Sequence, residues 1–162
     1  MDNQKICVIP GFFDPVTIGH LDIIIRAAKL FDRIYAAAFE NSAKKNMFTL
    51  EQRRVMLELA CGGISKVTVD AASGLLADYA VKKGADFIVK GTRGLADFEY
   101  ERDMFMINRE IGGIDTLFFP AEPEHIYISS SFVREMILYG KDITGYVPEK
   151  VGEFIKNNKK SM

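Results

Sequence analysis

The chain has 162 residues, 48% hydrophobic and 27% charged, with a formal net charge of −1. That length fits one domain of roughly 100–200 residues, and the proportions exclude a disordered chain, a collagen-like fibre and a disulfide scaffold. The near-neutral balance argues against a nucleic-acid partner held by bulk charge, and no apolar run approaches the roughly 18 residues of a membrane helix.

Met1 to Lys5 runs straight into an apolar segment without signal-peptide anatomy, so the expected compartment is the cytoplasm. Ile6 to Pro10 reads as a buried strand. Leu21, Ile24, Ile25 and Ala28 then recur at helical spacing, with Asp22, Arg26 and Lys29 on the other side. Ile34 to Phe39 is the second expected strand. Thr49 opens a helix, with Gln52 placed as its capping-box partner. Lys66 to Asp70 alternates as a strand. Ser73 is expected to cap a helix carrying Leu76, Tyr79 and Ala80, which Gly84 ends. Phe87 to Val89 is a strand, and Leu95, Phe98, Phe105 and Met106 suggest the helix after it. Thr116 to Phe119 is the fifth strand, ended by Pro120. Ser131 is expected to cap a helix with Phe132, Val133, Met136 and Ile137, and Pro148 to start a last short helix. This alternation predicts an α/β fold: a single-domain, Rossmann-like, open five-stranded parallel sheet with helices on both faces. Cys7 and Cys61 read as reduced core thiols, and His20 and His125 alone cannot build a multi-histidine metal site.

Ligands of such sheets bind beyond the carboxyl ends of the strands, so the segments after each strand carry the chemistry. After the first come Gly11, Phe12, Phe13 and then Thr17-Ile18-Gly19-His20. Gly19 and His20 fall at a helix start, where free N–H groups and the dipole suit a phosphate. Read alone, the histidine also fits a surface position. After the second strand stand Lys44 and Lys45, a cationic clasp or two solvated loop charges. Beyond the fourth comes Lys90-Gly91-Thr92-Arg93, cations spaced by a glycine that lets backbone approach an anion. After the fifth comes His125 to Ser131, where three serines open a helix as cap, phosphate ligands or both. Asp97, Glu99 and Glu101 read as a solvated helix face, with Glu101 also able to meet a ribose or a lysine. Four phosphate-compatible segments then converge on one sheet edge.

These residues resemble the nucleotidyltransferase superfamily with the Thr/His-x-Gly-His signature. Within it the sequence is similar, over essentially the whole chain, to the bacterial phosphopantetheine adenylyltransferase family. The stretches that carry the likeness are Pro10-Gly11-x-Phe13-Asp14-Pro15-x-Thr17-x-Gly19-His20, Lys44-Lys45-x-Met47-Phe48-Thr49-Leu50-Glu51-x-Arg53, Gly91-x-Arg93-x-x-x-Asp97-Phe98-Glu99-Tyr100-Glu101, Asn108-Arg109 and Ile128-Ser129-Ser130-Ser131. The resemblance implies transfer of AMP from ATP to 4′-phosphopantetheine, giving dephospho-coenzyme A and pyrophosphate. It implies Mg²⁺ as cofactor, no metal ligands from the protein, and a homohexamer. By position it puts Phe12, Phe13, His20, Gly91, Thr92, Arg93, Glu101, His125, Ile126, Tyr127, Ile128, Ser129, Ser130 and Ser131 at ATP. It puts Phe12, Lys44, Leu76 and Lys90 at phosphopantetheine, and His20, Lys44 and Lys90 at the chemistry.

The chain departs from the family at Phe12, where the family usually has Thr, and at Lys90, where it usually has Arg. A phenyl ring cannot bond a phosphate, and Lys keeps the charge but loses the two-pronged grip. Those departures admit two other readings. One is a sister nucleotidyltransferase using nicotinamide mononucleotide or glycerol 3-phosphate. The other is a nucleotide- or coenzyme A-binding protein with weakened catalysis.

Overall fold

Five strands, β1 (Ile6–Gly11), β2 (Arg33–Phe39), β3 (Val67–Ala72), β4 (Phe87–Thr92) and β5 (Asp115–Pro120), form one sheet. All neighbours run parallel, in the order β3-β2-β1-β4-β5. The helices are α1 (Ile18–Ala28), α2 (Leu50–Cys61), α3 (Leu76–Lys82), α4 (Leu95–Gly112), α5 (Ser130–Leu138) and α6 (Glu149–Asn158). The computed structural model describes residues 4–41 and 45–158; the reading of Lys44 lies outside these residues.

Side-chain alternation along β1 builds a core on each face. Cys7 and Ile9 join the larger cluster, which takes Ile24 and Ala27 of α1, Met56 and Leu57 of α2, Val133 of α5, and Val151 and Ile155 of α6. Val8 points the other way, onto Ile88, Ile114 and Ala80 of α3. Alongside α3 runs α4, whose Phe98 and Phe105 meet Phe118 of β5 edge-on. Helices therefore cover both faces, as the apolar runs predict. No described helix is long and apolar enough to cross a membrane. Burial pushes the Cys7 thiol up to about 12 and the Cys61 thiol up to about 11, so both stay protonated and inert.

Four local expectations change. The fourth strand runs on through Lys90, Gly91 and Thr92, which are strand residues and not a following loop. α3 starts from Leu75 with no side-chain cap, because Gly74 turns the chain at φ 85° between Ser73 and the helix. Ser129, not Ser131, caps α5 by accepting from the Phe132 N–H. Pro148 stands just before α6, its carbonyl accepting from Val151 and Gly152. The Thr49–Gln52 capping box forms as expected.

The sheet order reverses at β1 and β4, and there the pairing is short. β1 pairs with β2 from Ile6 to Gly11, but with β4 only at Cys7↔Phe87 and Val8↔Ile88. Pro10, further along β1, has no N–H to offer a ladder. Past Val8 the two strand ends part.

Candidate active site

A cleft of about 400 Å³ opens where β1 and β4 separate. Gly11, Phe12 and Phe13 line it from the end of β1, Gly19 and His20 from the start of α1, and Lys90 to Arg93 from the end of β4 and the residue after it. Asp97 and Glu101 reach in from α4, and Ser129, Ser130, Ser131 and Arg134 from α5 and its cap. His125 closes the rim from a short 3₁₀ turn, Pro123–His125. His20 and Ser130, far apart in sequence, share this space, as the strand-end reading requires.

His20 is fixed by the start of its own helix. The Thr17 hydroxyl accepts from the His20 N–H at 3.3 Å, and His20 Nδ1 accepts from the Thr17 N–H at 3.0 Å. An accepting Nδ1 puts the ring proton on Nε2 in the neutral form. Burial, with Lys90 and Arg93 adding to it, lowers the imidazole from 6.5 to about 4. His20 is therefore a neutral donor at neutral pH, set among cations. Phe13 packs edge-on against it at 5.1 Å. Phe13 itself is buried and left-handed, at φ 49°, a strained position for a bulky residue that its packing must hold. Its ring lies against Gly11, where a Cβ would come within 2.6 Å of Phe13 Cζ.

Each described cation lining the cleft already has a protein partner. Lys90 Nζ lies 3.1 Å from Glu101 Oε1, and Arg93 Nε lies 2.9 Å from Asp97 Oδ2. Arg134 donates to the Asp14 carbonyl at 2.7 Å and to Ser131 Oγ at 3.0 Å. Asp97 stays partly exposed while pairing with Arg93, and Glu101 takes the lysine option.

The serines also have structural partners. Ser129 caps α5, and Ser130 Oγ donates to the Pro15 carbonyl at 2.8 Å. These bonds dock the start of α5 on the turn after β1. The free N–H groups of that helix start still point where an anion can bind. On the other side of the turn, buried Asp14 accepts from Met47 and Phe48 N–H at 3.0 and 2.9 Å. Arg53, wholly buried, donates one Nη to the carbonyls of Phe12 and Phe39, at 2.7 and 2.9 Å. Its guanidinium also lies 4.4 Å from the centroid of the Phe12 ring. The unusual phenyl therefore sits on a buried cation at the edge of the cleft.

Three proposed ligand contacts stand apart from the lining. Leu76 packs against the Val8–Ile88 cluster at the start of α3. Ile126 and Tyr127 are exposed in the segment before α5 and are not among the residues lining the cleft. Sequence reading missed Arg134, Asp14 and Arg53. Arg134 was legible as the residue one helical turn beyond Ser130, on the same face. The two buried charges stand in the stretches that carry the family likeness, but spacing alone does not distinguish them from solvated ones.

No group of three or more His, Cys, Asp or Glu gathers for a metal among the described residues. The cleft's two carboxylates are both held by cations. The residues therefore do not fit a resident Mg²⁺ cage, and no step is assigned to that ion.

Residues 8–136 match the cytidylyltransferase-like family model. A phosphopantetheine adenylyltransferase from Finegoldia magna is 43% identical over 155 residues, 95% of this chain and 96% of that one. A phosphopantetheine adenylyltransferase from Streptococcus pneumoniae is 44% identical over 160 residues, 98% of this chain and 99% of that one. A proposed nicotinate-nucleotide adenylyltransferase from Vibrio parahaemolyticus superposes with a TM-score of 0.72 at 21% identity, covering 96% of this chain and 93% of that one. At that identity the superposition speaks for the fold alone. With the strand-end cleft and near-complete coverage together, the chain belongs to the cytidylyltransferase-like family, in its phosphopantetheine adenylyltransferase branch.

Proposed function

We propose that the chain transfers AMP from ATP to 4′-phosphopantetheine, releasing pyrophosphate and forming dephospho-coenzyme A. The observation that carries the reading is the cleft itself, where three strand-end segments, those of β1, β4 and β5, bring His20, Lys90, Arg93 and the start of α5 together. The acceptor phosphate is an anion near neutral pH and attacks the α-phosphorus directly, so no strong base is needed. What the site must supply is alignment of two anions and donors for charge that builds on the α-phosphate. His20, with its proton on Nε2, is the proposed donor, and Lys44 and Lys90 the flanking cations. Arg93, Gly91, Thr92 and the N–H groups of Ser129 to Ser131 are proposed to hold the triphosphate. His125 Nδ1 is buried without a hydrogen-bond partner and is proposed to serve the nucleotide. Mg²⁺ is proposed to arrive on the phosphates, held by their oxygens and water. The free, buried thiols Cys7 and Cys61 suit a reducing compartment, and the cytoplasm is the proposed one. Tyr100, Ile107 and Ile111 form an exposed apolar stripe along α4, on which copies are proposed to meet in a hexamer.

The test is ATP-dependent pyrophosphate release with 4′-phosphopantetheine as acceptor. His20→Ala is expected to lower kcat about 10²–10³-fold, the loss typical of one transition-state donor. Folded wild-type protein with no turnover on that acceptor would refute the reading. Nicotinamide mononucleotide and glycerol 3-phosphate, tried in parallel, identify a sister activity.

A further inference from the structure

We propose that Asp97 and Glu101 form an internal counter-anion that sets a charge threshold for what the cleft accepts. The proposal rests on the adenylyltransferase reading and deepens it, by naming specificity residues for its phosphate ligands. Asp97 and Glu101 lie one turn apart on α4, so both present carboxylates to one side of that helix. That side faces the end of β4, where Glu101 pairs with Lys90 at 3.1 Å and Asp97 with Arg93 at 2.9 Å. All four residues line the cleft. The Lys90–Glu101 pair is largely shielded, with 22% and 18% of the side chains exposed; the Arg93–Asp97 pair is more open, at 42% and 37%.

Binding is then an exchange. An arriving anion must replace a carboxylate that already satisfies the cation. A singly charged anion offers Lys90 no more than Glu101 does. A phosphate dianion or a polyphosphate offers more charge and more acceptor oxygens, and displaces the carboxylate. Lys90 sharpens this threshold, because a single ammonium shares poorly between two anions where a guanidinium fork could hold both. The displaced Glu101 carboxylate is left free to accept from a sugar hydroxyl. Its removal therefore has opposing effects on a nucleotide but a single effect on an anion without a sugar.

The probe is accordingly inorganic pyrophosphate, titrated calorimetrically at fixed ionic strength without added metal. Glu101→Gln is expected to bind it about 5- to 10-fold more tightly than wild type, the size of a partly shielded ion pair. Glu99→Gln removes an equal charge from the same helix but outside the cleft lining, and is expected to change affinity less than about 2-fold. Unchanged or weaker binding by folded Glu101→Gln overturns the proposal, as does equal tightening in both variants, which would mark a bulk-charge effect. If Glu101→Gln does not fold, Asp97→Asn takes its place under the same criteria, its carboxylate being the more exposed. Turnover with 4′-phosphopantetheine, measured on the same wild-type protein, separates the two readings. Turnover without the anion contrast sinks the counter-anion alone, and the contrast without turnover sinks the adenylyltransferase reading alone.

Discussion

A histidine at a helix start can serve phosphate chemistry as a cation or as a neutral donor, and the surroundings of His20 select the second. Its proton is bound near 6.5 in an unfolded chain and only near 4 in the folded one. Between those values the unfolded state holds the extra proton. Stability therefore falls as pH drops through that window and is complete above about 6.5, with a slope of up to about 1.4 kcal/mol per pH unit. Urea unfolding of wild type and His20→Asn between pH 4 and 7 checks this, the variant being expected to lose that slope; parallel curves would refute it. Turnover should respond differently. A phosphate monoester gains its second charge near about pH 6. The acid limb of kcat/KM is expected to follow the acceptor, and to keep its midpoint in His20→Asn while the rate falls. Phe12 is the other telling residue. Sequence alone shows a ring where a hydroxyl is usual; its seat over Arg53, on the wall of the cleft, is a product of folding.

At the scale of elements, the site depends on how closely α1 approaches β4. A Cβ on Gly91 would stand 2.9 Å from Ile23 Cγ1, inside contact distance with a buried residue of α1. Gly91→Ala is expected to cost about 1–3 kcal/mol, the range of an overpacked contact. Because His20 lies on α1, the same substitution is expected to raise the KM for ATP. Urea unfolding together with steady-state kinetics reads both effects, and a variant with wild-type stability and KM would show that the two elements tolerate separation. The capping boxes illustrate what local sequence can specify. Thr17–His20 and Thr49–Gln52 need only four consecutive residues, and both form. Ser73 fails as a cap because the turn at Gly74 takes it out of helical register, a choice made by packing of α3 against the sheet.

For the whole molecule, the stripe of Tyr100, Ile107 and Ile111 along α4 is an exposed apolar face. Ile107→Asp together with Ile111→Asp is expected to lower the particle mass seen by light scattering, if copies meet there; an unchanged mass would place the contact elsewhere. The apolar alternation of five strands and the helical periods between them were enough to determine a parallel α/β sheet, since those patterns report only on neighbours within one element. The strand-end rule was enough to nominate His20, Lys90, Gly91, Arg93 and the three serines. Which charges pair between separate segments, and which are buried, was decided by the tertiary structure alone. Glu101 pairs with Lys90 of β4 and Asp97 with Arg93 just beyond it, Asp14 is buried in the turn after β1 and Arg53 on α2, and Leu76 packs, partly buried, against the Val8–Ile88 cluster. Burial and pairing depend on distances between segments far apart in the chain, and a linear sequence carries no measure of those distances.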